Sequence, residues 1–291
     1  MMRSPNNITI AVRKPNGETT VKKNKYQTLT QRYKMLNIPI LRGVINLFEM
    51  MYIGTKAINF SASVALDETP EEEEKKKPST FSKIAEGLMF ALSFILALML
   101  SIFLFKFIPL WSTTYLEGNI GLIKENYIIF NLIDGILKML IFLAYIFVLT
   151  KFPSFKRIFE YHGAEHKSIF TYEKKKGLTV DNAKEQSRFH PRCGTSFVLI
   201  VFAISILVYT FVPKQDNFWL NLAVRLAFLP LIAGISYEYL KLSAAYAKKG
   251  FVKALIAPGL WFQRLTTAEP DRRQLEVGLK SLQTALEMEK A

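Results

Sequence analysis

The chain has 291 residues, 50% of them apolar, and a formal net charge of +14. A soluble globule rarely combines positive mean hydropathy with that much charge, so the composition excludes an ordinary soluble enzyme domain. It points instead to an α-helical integral membrane protein. The basic excess reads as topology and attraction to anionic lipid rather than nucleic-acid binding, because no basic run interleaved with aromatics is present.

At the N-terminus, Ile8-Thr9-Ile10-Ala11-Val12-Arg13 and Glu18-Thr19-Thr20-Val21-Lys22 flank Pro15-Asn16-Gly17, and Asn-Gly between such runs signals a β-hairpin. The segment 1–35 is therefore a small β element. Over 36–65, Leu41, Val44, Ile45, Phe48, Met51, Tyr52 and Ile58 keep helical spacing opposite Arg42, Asn46, Glu49 and Lys56. This predicts an amphipathic helix lying on the bilayer or docked on the spans. The stretch 66–80, rich in Glu and Lys with two prolines, reads as a flexible linker.

Four segments are apolar enough to cross a membrane: 87–110, 127–150, 196–212 and 218–240, the third near the lower length limit. No signal peptide is expected, since nothing apolar lies near Met1. Of 38 basic residues, only Lys124 and Lys214 fall in the short loops 111–126 and 213–217, while Lys106, Lys138 and Arg225 lie within spans. The positive-inside bias then puts both termini and the loop 151–195 in the cytoplasm. After the fourth span, 241–291 reads as cytoplasmic helices. A surface helix over 244–262 is followed by one opened by Asp271 as N-cap, with Leu275, Leu279, Leu282 and Leu286 at helical spacing.

Inside the spans, Asp134 and Arg225 each lie about seven residues from the outer end, with Lys138 one turn below Asp134, so the three are expected to pair at one depth. An interhelical clamp explains them better than an ion pathway, because charges at one depth make no relay.

All three histidines and the only cysteine fall within 32 residues: His162, His166, His190 and Cys193. His162 and His166 are spaced one helical turn apart on one face, about 5–6 Å between Cβ atoms, a span that one ion bridges. His190-Pro191-Arg192-Cys193 forms a tight knuckle, and a mixed imidazole and thiolate set suits zinc. His162-x-x-Glu165-His166 also matches the inverted zinc-protease pattern, although the carboxylate ligand expected far downstream there is replaced here by nearby His190 and Cys193. Three readings stay open. If all four bind, the zinc is structural. If one of the late pair stands aside, water takes its place and Glu165 becomes the general base; the third reading has no metal. Glu238, at the inner end of the fourth span, is either an additional ligand or acid, or an interfacial carboxylate facing water.

Tyr161-His162-Gly163-Ala164-Glu165-His166-Lys167 and Arg188-Phe189-His190-Pro191-Arg192-Cys193-Gly194-Thr195-Ser196-Phe197 resemble the YqhQ-like family of bacterial multi-pass membrane proteins. The likeness extends over Ala11 to Glu18, Leu41-Arg42-Gly43, Gly234-Ile235-Ser236-Tyr237-Glu238, Pro258-Gly259-Leu260 and Thr266-Thr267-Ala268-Glu269-Pro270. The resemblance implies a protein of unknown function for which a metal-dependent enzyme has been predicted. The sequence thus predicts a bacterial cytoplasmic-membrane protein with a cytoplasmic His/Cys zinc site. Its function is either a zinc hydrolase at the membrane surface or a non-enzymatic scaffold whose metal shapes a docking face for a protein partner.

Overall fold

The computed structural model describes residues 1–65, 80–246 and 250–290. The linker expected over 66–80 lies outside them, except for Thr80, which opens a helix. The chain is mostly helical and divides into two compact units, one from residues 1–69, 146–200 and 233–291, the other from 70–145 and 201–232.

In the first unit the chain opens as a three-stranded antiparallel sheet, β1 (Met2–Arg3), β2 (Asn7–Arg13) and β3 (Thr19–Lys25), in the order β1-β2-β3. The β2–β3 register pairs Asn7 with Lys25 and Arg13 with Thr19, closed by a turn in which Gly17 takes φ +91°, the left-handed conformation that glycine adopts without steric cost. Side chains alternate across a strand, so β2 serves two cores. Ile8, Ile10 and Val12 pack on Ile53 and Val64 of the helix Leu41–Ala65. On the opposite face the Thr9 hydroxyl donates to the Ser281 carbonyl at 2.8 Å on the C-terminal helix Arg272–Lys290. That helix starts from a reciprocal cap: Asp271 accepts from the Gln274 amide at 2.7 Å, and Gln274 accepts from the Asp271 amide at 2.8 Å. Leu275, Leu279 and Leu282 are buried, the first two against Ala164 and Ala183.

The sequence expectation left open which face of the helix Leu41–Ala65 meets protein. Two of its polar residues turn inward: Asn46 donates to the Tyr237 hydroxyl, and Glu49 accepts from the Tyr26 hydroxyl at 2.8 Å and the Leu29 amide at 2.7 Å. One apolar face, apart from the Ile53 and Val64 that meet β2, turns outward, with Phe48 65% and Ile58 70% exposed and Met51 and Tyr52 similar. Period alone separates the two faces without saying which one meets protein. Gly43 allows the helix start to approach Gly234 and Tyr237 so closely that a β-carbon would collide with the Tyr237 side chain.

Three helices that lie wholly or mainly in residues of the second unit are long and apolar enough to cross a membrane, Ala91–Asn119, Tyr127–Leu149 and Phe218–Ser243, the last two passing into the first unit at residues 146 and 233. At 1.5 Å per residue they reach about 44, 35 and 39 Å, against a hydrocarbon core of about 30 Å. The fourth expected segment is the helix Gly194–Thr210, which at 17 residues is shorter. The expected loop 111–126 is corrected: the helix continues to Asn119, and Gly121–Glu125 adds another turn. A π-helical stretch, Phe103–Phe107, lies just before Pro109 inside the continuous helix Ala91–Asn119, and the widened turn accommodates a residue that has no N–H to donate.

Asp134, Arg225 and Lys138 are all buried in this unit. The Asp134 carboxylate accepts from Arg225 Nη1 at 2.5 Å and from Lys138, both on Oδ2, while Oδ1 has no partner among the described residues. Arg225 also donates to Asn131 at 2.5 Å, and the rings of Tyr209 and Phe130 lie 4.9 and 5.8 Å from its guanidinium. Lys106, whose ammonium is 5.6 Å from the Tyr209 ring, brings a third cation to the group. Asp134→Asn is expected to cost about 3–5 kcal/mol in thermal melts of the solubilised protein. The double replacement with Arg225→Gln should cost less than the single one, because it leaves one buried cation fewer without a counter-charge. Additive losses would show that the two charges are independent.

Candidate metal centre

His162 and His166 lie on the helix Pro153–Glu173, and Cys193 closes the turn before Gly194–Thr210. Proline in the first turn and a run interrupted only by Gly163 make the first a 21-residue helix, and its 3.6-residue period stacks the two rings, 4.4 Å apart. Each ring has one nitrogen committed. His162 Nδ1 lies 2.8 Å from the Thr266 carbonyl and His166 Nδ1 lies 2.5 Å from the Arg188 carbonyl. A carbonyl only accepts, so both Nδ1 atoms carry a proton, and the Nε2 atoms are what each neutral ring presents as a ligand. These point to Cys193, whose Sγ is 3.2 Å from His162 Nε2, and one ligand atom from each of the three residues lies within 4.8 Å of the others. Two ligands about 2.0–2.3 Å from one ion at the tetrahedral angle stand roughly 3.5 Å apart, so a small closure of side chains would complete three corners of a tetrahedron.

The electrostatics suit a metal ligand set. Burial pushes the Cys193 thiol up, but hydrogen bonds and charge from His162 and His166 outweigh it and bring the pKa down to about 5. For His162, burial favours the neutral ring, whereas the Cys193 thiolate, the Thr266 carbonyl and the Glu165 charge together raise its pKa.

His190 is adjacent but turned away. Its Nδ1 accepts from the Arg192 amide at 3.2 Å, and its Nε2 faces Glu173 at 3.3 Å, so neither nitrogen is directed at the cluster. Burial depresses its pKa despite the pull of Glu173. The structure groups His162, His166 and Cys193 without His190, whose Nε2 is engaged by Glu173, a residue to which the sequence reading gave no role. Glu238 is not in the cluster either; it takes a two-pronged grip from Arg42, with Nε donating at 2.5 Å. Glu165 is half-buried, contributes to the field at His162, and has no hydrogen-bond or ion-pair partner among the described residues.

Other residues that hold the centre come from the helix Gly250–Thr266 and the strap that follows it. Gln263, fully buried, accepts from the His190 amide at 2.7 Å and donates to the His190 carbonyl at 2.8 Å and the Ser196 hydroxyl at 3.0 Å. The Thr266 hydroxyl joins Thr195 at 3.2 Å, and Thr195 contacts Cys193 Sγ at 3.1 Å. The Ala268 amide donates to the Phe159 carbonyl at 2.9 Å, and buried Lys167 pairs with Glu269. Gly163 sits beneath this strap, where a β-carbon would overlap the Ala268 carbonyl oxygen. The only sequence signal for these partners was the presence of Thr266 to Pro270 among the stretches that carry the resemblance.

Residues 38–288 match the model of a family described as a protein of unknown function (DUF1385). The chain belongs to this family. It is also 37% identical over 257 residues to the uncharacterized protein YqhQ of Bacillus subtilis (strain 168), covering 87% of this chain and 78% of the relative. No solved structure matches. Within the first unit, stretches that carry the family resemblance meet in pairs: Leu41-Arg42-Gly43 packs on Gly234 to Glu238, and Thr266 to Pro270 straps His162 and Gly163.

Gly163→Ala should destabilise the protein by about 1–3 kcal/mol although alanine is the better helix former by about 1 kcal/mol, because the strap must lift to admit the methyl group. Thermal melts check the sign; a stabilised variant would mean that the strap does not bear on the helix.

Proposed function

We propose that this protein is a metal-dependent hydrolase of the bacterial cytoplasmic membrane. Its ligands are His162, His166 and Cys193, and its general base is Glu165. The observation that carries this reading is the three-residue ligand set. Two imidazoles have their Nδ1–H groups tied to main-chain carbonyls, one thiolate faces them, and the fourth candidate is held off by Glu173. Catalytic zinc sites keep three protein ligands and one open position, whereas structural sites use four. Zinc fits the donor set; once bound it would act as a Lewis acid and make a coordinated water acidic near neutral pH. Glu165 takes the proton of the attacking water and returns it to the leaving group, a role for which a half-buried carboxylate free of other partners is suited. The carbonyls of Thr266 and Arg188 fix ring orientation and ligand basicity. The substrate class is an amide, peptide or lipid-linked compound presented at the bilayer.

Membrane insertion rests on the three long apolar helices, and the bias of lysines and arginines supports a cytoplasmic side for both termini and the centre. Cysteines introduced at Gln215 should react with an impermeant thiol reagent only from outside, and cysteines at Lys175 only from the cytoplasm. The opposite pattern would move the centre to the other compartment.

The purified protein is expected to carry about one zinc per chain, as metal analysis would read, with His162→Ala, His166→Ala and Cys193→Ser each losing most of it. Unchanged metal in the histidine variants would refute the site. His190→Ala should retain zinc; if it does not, the set is a closed four-ligand one and the protein is a scaffold for a partner. Glu165→Gln should keep zinc and fold yet fail to restore a deletion strain, and full restoration would remove Glu165 from the chemistry.

A further inference from the structure

A cavity of about 720 Å³ opens in the first unit between the N-terminal segment, the start of the helix Leu41–Ala65 and the ends of two apolar helices. Four cations line it: Arg3, Lys34, Arg42 and Lys241. Among the described lining residues there is no carboxylate, and only Arg42 makes a salt bridge, to Glu238. Arg3 has only weak partners, the Met50 sulfur at 3.4 Å and the Tyr26 ring at 6.0 Å. The same cavity has an apolar side made by Leu47, Met50, Phe197 and Leu240. Beside it the segment 33–41 exposes large apolar side chains, Met35 84% and Ile38 56%, and continues into the outward apolar face of Leu41–Ala65.

We infer that this cavity binds one anionic phospholipid, with its phosphate among Arg3, Lys34 and Lys241 and the start of an acyl chain along Leu47, Met50, Phe197 and Leu240. Charge complementarity commits the head, since three basic groups without salt bridges in one concavity repel each other and gain from a phosphate. The adjoining apolar surface commits the tail: a soluble phosphate or nucleotide would leave that side and Met35 in water. The volume lies within the range of pockets that enclose small ligands, enough for a head group and the first part of a chain. Asn46 and Gln31, also in the lining, supply uncharged donors for ester or glycerol oxygens. This inference rests on the membrane placement proposed above but not on the metal chemistry.

The test uses the full-length protein in nanodiscs of equal phosphatidylglycerol and phosphatidylcholine, with the lipid retained after release read by native mass spectrometry. The parent should retain phosphatidylglycerol in preference by roughly tenfold or more. Lys34→Gln with Lys241→Gln, both exposed, should weaken that retention by roughly thirtyfold, since each basic group near an anionic lipid surface contributes about 1 kcal/mol and tenfold is about 1.4 kcal/mol. Lys23→Gln with Lys280→Gln removes the same charge from other exposed positions and should change nothing. Equal retention of the two lipids by the parent, or equal loss in both double variants, would overturn the site. Complete displacement by excess inorganic phosphate would make the ligand a free anion and overturn the lipid. Release of the chain from native membranes by alkaline carbonate would refute membrane insertion itself, whereas a chain that stays inserted but selects no lipid refutes only this cavity.

Discussion

The hydrogen bonds from His162 and His166 to the Thr266 and Arg188 carbonyls are the constraint on which the centre depends. Without them either ring could present either nitrogen. With them the Nε2 atoms are left to face Cys193, and three distant segments are fixed around one point: the histidine helix, the turn 188–193 and the strap after Thr266. Each carbonyl needs its own scaffold. Gln263 supplies part of it by pinning both main-chain polar groups of His190, an arrangement in which a buried amide leaves no group of its neighbour unsatisfied. The absence of a side chain at Gly163 then lets the strap lie close enough for the Thr266 carbonyl to reach the ring.

How much of this was legible follows from how local each cause is. The histidine pair needs only the helical period, and Cys193 only its place two residues after His190-Pro191, so both could be read from the chain. The His190 ring could not be placed, because its direction is set by Glu173, seventeen positions away and without a distinctive motif. Gln263 and Thr266 lie over seventy residues from their partners, in a helix whose sequence reads as membrane surface. By propensity alone Gly163 is only a cost to its helix, because the benefit belongs to Ala268. The β-hairpin and the capped C-terminal helix were legible since turn and cap chemistry is local. The direction in which Leu41–Ala65 faces was not, since both of its faces have the right period and the choice is made by Tyr26, Glu238 and Tyr237.

The second unit follows a different economy. Its apolar helices have little need for specific partners, and the specificity they have is concentrated where Asp134, Arg225, Lys138 and Lys106 gather around Tyr209. Several cations around one carboxylate do not maximise stability, since an apolar core of the same volume would serve as well or better. Such a cluster instead fixes register, because sliding one helix by a turn would leave an ion without its partner. The carboxylate's unpaired Oδ1 and the π-helical stretch bearing Lys106 lie in this cluster, where the second unit's geometry is furthest from an ideal bundle.

Gly194 connects the two proposed activities of the first unit. It lines the cationic cavity, and the residue before it is Cys193 of the proposed ligand set, so the cavity and the candidate centre are adjacent along the chain at a Cα–Cα step of about 3.8 Å. A lipid held by its phosphate in that cavity has its polar linkage near the interface and its chain directed along Phe197, one turn into the helix that Gly194 begins. A hydrolase that recognises the anionic head of an amphiphile needs no deep enclosed pocket, because the bilayer already confines the substrate to a plane and the recognition site sets its orientation. On that argument the outward apolar face of Leu41–Ala65 and the segment 33–41 would hold the mouth of the proposed hydrolase at the depth of the bond to be cut.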